Sequence, residues 1–144
     1  MGGGSVGEVR TLAPGRAQGA ALVLDAPLSF WGGIETETGR IKDVHHPQRG
    51  AVVTGRVLVM PSGRGSSSSS SVLAESIRLG TGPAAVVLGE PDPILALASI
   101  VAGELYGAAV PIIVVDAATY GRIEDGGRVV VEADDDAPAR IALG

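Results

Sequence analysis

The segment with most chemical potential is Pro61-Ser62-Gly63-Arg64-Gly65-Ser66-Ser67-Ser68-Ser69-Ser70-Ser71. Composition alone describes a Gly/Ser linker. Its context favours a functional loop, because a buried-strand run, Arg56–Met60, ends just before it and helical spacing begins inside it. A strand–glycine loop–helix junction gathers free backbone N–H groups and the positive end of a helix at one point. Such a point attracts a carboxylate or phosphate, and serine hydroxyls add donors there without bulk. The phosphate-binding pattern Gly-x-x-x-x-Gly-Lys-Ser/Thr is absent.

The second candidate is His45-His46-Pro47 with Asp43 nearby. Paired histidines can ligate metal, transfer protons, touch a substrate or partner, or simply shape a turn. Adjacent residues of an extended segment point different ways, and no third ligand pattern follows, so metal ligation is the weakest of these readings. Phe30-Trp31-Gly32-Gly33 concentrates half of the chain's four aromatic residues in one loop. Either these aromatics plug the small sheet or they anchor a subunit interface, where aromatics are enriched; the expectation taken forward is an interface of Phe30, Trp31 and Pro47. Arg16 and Arg40 read as surface or ion-paired residues, Glu90 follows the carboxyl end of a strand, and Asp134-Asp135-Asp136 reads as a solvated turn.

These residues need a scaffold, and two textures supply it. Residues 6–56 are punctuated by Gly and Pro, which suggests a small sheet or partial barrel with long loops. From Gly55 the rhythm becomes strand, helix, strand, helix, strand: Arg56–Met60, Ser68–Leu79, Ala84–Leu88, Pro93 to about Tyr106, and Val110–Val115. Asp92 suits an N-cap and Pro93 a first helical turn. A short helical turn over Ala117–Ile123 then leads to a last strand, Arg128–Ala133. Continuous apolar strands alternating with helices imply a parallel sheet covered on both faces. The expected fold class is therefore α/β: a short parallel sheet flanked by helices, plus a smaller antiparallel or barrel-like part. Residues 1–5 (MGGGS) read as a flexible leader and residues 6–144 as one domain.

Composition narrows the partners. With 11 basic against 16 acidic residues the net charge is −5, and no basic run exists, which argues against nucleic acid. No segment has the ~18 consecutive apolar residues of a membrane span, so the cytoplasm is the expected compartment. There is no cysteine and there are only 2 His, so a thiolate-held metal or cluster has no ligands in this chain.

A resemblance then draws these features together. Pro14-Gly15-Arg16-Ala17, Pro27-Leu28-Ser29-Phe30-Trp31-Gly32-Gly33, Thr38-Gly39-Arg40-Ile41, His45-His46-Pro47, Gly63-Arg64-Gly65-Ser66-Ser67 and Glu90-Pro91-Asp92-Pro93 occur in that order. Over about Val9 to Val131 the chain resembles the small subunit of the aconitase X family, itself similar to the swivelling domain of aconitases. The resemblance implies a hydro-lyase split over two chains, with an iron–sulfur cluster on a cysteine-bearing large subunit and none on this one. It implies that Ser66, as an alkoxide, is the base that removes the substrate proton. Gly63, Gly65 and Ser67 would shape the loop and, with Arg64 and Ser68, line the substrate site, while His45 and His46 would either shape the turn or contact the substrate or the large subunit. Where the aconitase pattern has a carboxylate-gripping arginine after the serine pair, this sequence has Ser68, which points away from a tricarboxylate and leaves Arg64 as a substitute charge. The implied substrate is a small anion or zwitterion: cis-3-hydroxy-L-proline, which the serine-rich loop and Glu-Pro-Asp-Pro-Ile-Leu favour, or mevalonate 5-phosphate. The rival readings are a non-catalytic module that holds an anion in the same loop, and a structural partner whose serine run is only a linker.

Overall fold

The computed structural model describes residues 9–62, 67–134 and 139–144, with the side chains of Trp31 and of residues 67–70 outside that description. The β-branched runs seen in the sequence become strands β5 (Val57–Met60), β6 (Ala85–Leu88) and β7 (Ile112–Val115), every residue of which is buried. They pair in parallel, with Val57 opposite Ala85 and Val86 opposite Ile112. Helix α2 (Ser67–Leu79) connects β5 to β6, and α3 (Pro93–Tyr106) connects β6 to β7. Asp92 caps α3 as its sequence position suggests, accepting hydrogen bonds from the N–H groups of Ile94 and Leu95 at 3.1 Å. Gly107, at φ +70°, ends the helix in the left-handed conformation.

Strand periodicity divides the interior in two. Leu58, Met60, Val86, Leu88, Ile112 and Val114 face a core shared with Leu73 and Ile77 of α2 and Leu95, Ala98 and Ala102 of α3. Val57, Val59, Ala85, Val87, Ile113 and Val115 face the other way. That second face is covered mainly by strands: Val129, Val131 and Ala133 of β8 (Arg128–Ala133), Ile141 of β9 (Arg140–Leu143), and Ile123 beyond the short helix α4 (Ala117–Gly121).

The Gly/Pro-rich first part departs from the sequence expectation. β1 (Val9–Ala13) and β2 (Gly15–Val23) belong to the main seven-stranded sheet, whose order is β1-β7-β6-β5-β2-β8-β9. β1 closes one edge antiparallel to β7. β2 pairs antiparallel with β8 through residues 15–20 and parallel with β5 through residues 21–23. One strand thus serves both parts of the sheet, and the sheet curls there. β9 extends the sheet beyond the strand that the sequence suggested as the last. Only β3 (Ile34–Glu35) and β4 (Arg40–Ile41) form a separate ladder, entered through the single-turn helix α1 (Phe30–Gly33).

Phe30 corrects the interface expectation. It is 0% exposed and packs in the helix-side core with Leu28, Ile34 and Ile41. Burial removes its ring from any subunit contact, so it takes the core-plug reading; the side chain of Trp31 lies outside the described residues.

The β3–β4 excursion is seated by Gly39. At φ +76° a Cβ there would lie 2.2 Å from Thr54 Oγ1 and 2.6 Å from the Thr81 carbonyl oxygen. At Gly107, also in the left-handed region, a Cβ would meet nothing within 4 Å. Gly107→Ala therefore carries only the conformational penalty of about 1 kcal/mol. Gly39→Ala adds a backbone displacement and should cost roughly 2–4 kcal/mol in all. Thermal unfolding of the two variants checks this, and an equal loss would show that the close approach at Gly39 carries no energy.

Candidate functional site

Because β5, β6 and β7 are parallel, their carboxyl ends share one edge of the sheet, where open α/β sheets receive ligands. The connections leaving β5 and β6 touch there. The Gly89 N–H donates to the Pro61 carbonyl at 3.0 Å, and a Cβ on Gly89 would sit 3.0 Å from that same oxygen. A glycine at 89 therefore lets the segment Gly89-Glu90-Pro91-Asp92 lie beside the start of the serine loop. Glu90 is exposed at this edge, whereas Asp92 is occupied as a cap.

Gly63, Arg64, Gly65 and Ser66 lie outside the described residues. The structure does describe both flanks: β5 ends at Met60, and α2 is helical from Ser67, so Ser67 and Ser68 occupy its first turn. The strand and the helix expected on either side of the serine segment are both present. The first-turn N–H groups of a helix carry a field that favours an anion over a neutral alcohol.

The histidine pair separates into two roles. His46 is 7% exposed. Its Nε2 donates to the Ala26 carbonyl at 3.1 Å and its Nδ1 accepts the Gln48 N–H at 3.0 Å. Both ring nitrogens are consumed, so His46 offers none to a substrate or metal; it holds the turn instead. Gln48 continues the lacing, donating to Asp25 Oδ2 at 2.7 Å and accepting from the Asp25 N–H at 3.0 Å. His45 and Pro47 are exposed, with the His45 N–H bonded to Asp43 Oδ1 at 2.9 Å. Arg16 lies 4.0 Å from Glu132 and 3.8 Å from Asp134, the surface pairing expected for it.

The clearest electrostatic perturbations among the described residues lie in structural pairs. The Arg78 guanidinium hydrogen-bonds Glu75 at 2.7 Å and holds its carboxyl below the usual range, while burial, aided by Asp25, raises the Tyr120 phenol. No cluster of three or more His, Asp or Glu side chains among the described residues suits a metal ion. With no cysteine in the sequence, the donor set does not fit an iron–sulfur cluster.

One surface feature escaped the sequence reading. α3 buries Leu95, Ala98, Ser99 and Ala102 but leaves Ile94, Leu97, Val101 and Leu105 exposed, Leu97 by 62% and Leu105 by 67%. The signal was present: α3 is apolar nearly all round, which a helix with one solvated face is not. A contiguous apolar stripe of this kind marks a binding surface more often than isolated exposed residues do.

A mixed seven-stranded sheet covered by helices on one face and by its own strands on the other, with a small antiparallel ladder beside it, is the architecture of a swivelling α/β domain. The chain belongs to the aconitase X swivel domain family, whose description it matches over residues 7–138. It is 50% identical over 103 residues to a cis-3-hydroxy-L-proline dehydratase of Pseudomonas aeruginosa, covering 72% of this chain but only 18% of that protein. It is 36% identical over 131 residues to the phosphomevalonate dehydratase small subunit of Methanothermobacter thermautotrophicus, covering 89% of this chain and 94% of that subunit. Its fold superposes on the crystal structure of Thermococcus kodakaraensis aconitase X in its holo form with a TM-score of 0.80 at 30% identity, covering 95% of this chain and 96% of that one. It superposes equally on the solution NMR structure of a UPF0107 protein, with a TM-score of 0.81 at 34% identity, covering 96% and 98% of the two chains. No helix among the described residues is long and apolar enough to cross a membrane.

The two histidines give a direct test. His46→Ala strands a carbonyl and an N–H in a partly buried turn and should cost about 1–3 kcal/mol, whereas His45→Ala should stay within about 0.5 kcal/mol of the parent. Denaturant unfolding midpoints read the difference, and equal midpoints would return His46 to the list of free site residues.

Proposed function

We propose that this chain is the small subunit of a two-chain dehydratase of the aconitase X kind, contributing the serine loop that closes over an active site completed by a larger partner. The observation that carries this reading is the strand–loop–helix junction between Met60 and Ser67, found in a chain whose relatives are named dehydratases or dehydratase small subunits. The iron–sulfur cluster, whose ligands this chain lacks, is assigned to a cysteine-bearing large subunit.

Dehydration removes a proton from a carbon beside a carboxylate and expels hydroxide from the next carbon, the C–H electron pair becoming the new double bond. Ser66 is the proposed base. A serine hydroxyl is too weakly acidic to ionise unaided, and the N–H groups opening α2 supply potential that favours its alkoxide. Closure against the partner would exclude water, strengthening that field. Departure of the hydroxide is assigned to the partner chain. Gly63, Arg64, Gly65, Ser67 and Ser68 complete the proposed substrate loop, with His45 as an exposed group beside the laced turn.

The proposed substrate is cis-3-hydroxy-L-proline, supported by the 50% identity to a dehydratase of that compound. Mevalonate 5-phosphate is the second reading, favoured by the match in length to a separate small subunit. The large subunit is assigned to the exposed face of α3, since Phe30 is unavailable and Ile94, Leu97, Val101 and Leu105 gather exposed apolar side chains on one helix.

Assembled with its large subunit, Ser66→Ala should lower kcat by about 10²–10⁴-fold while complex formation persists. Near-normal turnover in that variant, with loss in Ser67→Ala, would overturn the assignment of the base. Turnover of cis-3-hydroxy-L-proline but not mevalonate 5-phosphate by the parent complex is the expected substrate result. Leu97→Asp combined with Leu105→Asp should weaken subunit affinity by more than about 2 kcal/mol with no loss of thermal stability in the lone chain. Unchanged affinity would remove α3 from the interface.

A further inference from the structure

Between the β3–β4 hairpin and the second turn of α2 lies a cavity of about 550 Å³, lined by Ile34, Glu35, Thr36, Glu37, Lys42 and Val72. That volume is in the range of small-molecule sites. Val72 comes one helical turn after Ser68, about 6 Å along the axis, so the cavity sits against the helix that opens at the serine loop. α1 packs against α2 and holds the wall in place.

The wall is chemically unusual for a surface hollow. Glu35 is fixed, its carboxylate accepting the Thr38 hydroxyl at 2.7 Å. Glu37 and Lys42 form no ion pair with any described residue, although they carry opposite charges around one cavity. Arg40 stands opposite Glu35 in the β3–β4 ladder, yet it neither pairs with that carboxylate nor lines the cavity. Half-buried Val72 supplies an apolar patch to the same hollow, while Ile34, 3% exposed, backs the wall from the core. Backbone position is fixed as well, since the Thr36 carbonyl accepts the Thr81 hydroxyl.

From this we infer that Glu35, Glu37 and Lys42 select substrate by charge, admitting a small cyclic amino acid in its zwitterionic form and disfavouring a phosphorylated carboxylate with its several negative charges. Two carboxylates and one ammonium leave the wall with a formal charge of −1. An amino acid presents a cation to the glutamates, a carboxylate to Lys42 and an apolar ring to Val72. A molecule carrying both a phosphate and a carboxylate brings a second anion to a wall with one cation, a repulsive element of the kind that creates specificity. The inference rests on the dehydratase reading above and adds these three residues to it as specificity determinants.

Equilibrium binding to the assembled two-subunit complex tests this without depending on turnover. The probes are L-proline and tetrahydrofuran-2-carboxylate, which share ring and carboxylate but differ in the ammonium. The parent complex should prefer L-proline by about tenfold or more, the scale of one charged hydrogen bond. Glu37→Gln, and separately Glu35→Gln, should shrink that preference several-fold, while Lys42→Met should weaken both probes alike. Circular dichroism of each variant confirms that the domain is intact. An unchanged preference in both glutamate variants overturns the charge-selection inference, and if the parent still dehydrates cis-3-hydroxy-L-proline the dehydratase reading survives it. A parent complex that dehydrates mevalonate 5-phosphate alone overturns both the substrate reading and this inference. If the expected binding pattern appears with neither substrate turned over, the cavity assignment stands and the dehydratase reading falls.

Discussion

Parallel strands must be buried on both faces, and this chain has long helices for only one of them. Everything else in the architecture answers that constraint. α2 and α3 cover the face of Leu58, Met60, Val86 and Leu88. The opposite face, built from Val57, Val59, Ala85 and Val87, has to be closed by the chain's own strands. β2 makes this possible by changing partners along its length, antiparallel to β8 and then parallel to β5. Gly19 sits within that strand at a point where a Cβ would approach the Gly55 carbonyl to 2.6 Å, so the curl depends on a residue with no side chain. With the sheet closed in this way, the carboxyl ends of β5 and β6 remain as the open edge, where Pro61 and Glu90 stand.

The legible part of the fold was its local part. Runs such as Val57–Met60 and Ile112–Val115 declare strands through β-branched and apolar composition, and Asp92-Pro93 declares a helix start through capping chemistry. What stayed hidden was pairing across distance. Nothing in Val9–Ala13 says that it lies along β7, about a hundred residues away, and nothing in Arg140–Leu143 announces a further strand beside β8. Register between distant strands is decided by which apolar faces remain uncovered, a property of the assembled sheet.

The site divides in the same way. The junction between β5 and α2 could be read from order alone, because a strand, a glycine loop and a helix in succession leave few geometries. Phe30 could not, since an aromatic before two glycines looks alike whether it points into a core or toward a partner; Leu28, Ile34 and Ile41 around it settle the matter. For His46 the sequence left turn structure and ligand contact open, and its two nitrogens, spent on Ala26 and Gln48, fit the turn. Conversely, nothing in the sequence connects Glu37 with Lys42; the hairpin brings them around one hollow.

Gly39 gives the hairpin a further property. Its close seat against Thr54 and the Thr81 carbonyl, with the Thr81 hydroxyl on Thr36, ties the turn to the segment that leads into β6. The hairpin is therefore one piece with the sheet rather than a separate flap. Divergence in this part of the family has an easy route and a hard one. Exchanging side chains at 35, 37 and 42 leaves the scaffold untouched, whereas lengthening the loop would unseat Gly39 and loosen the sheet with it.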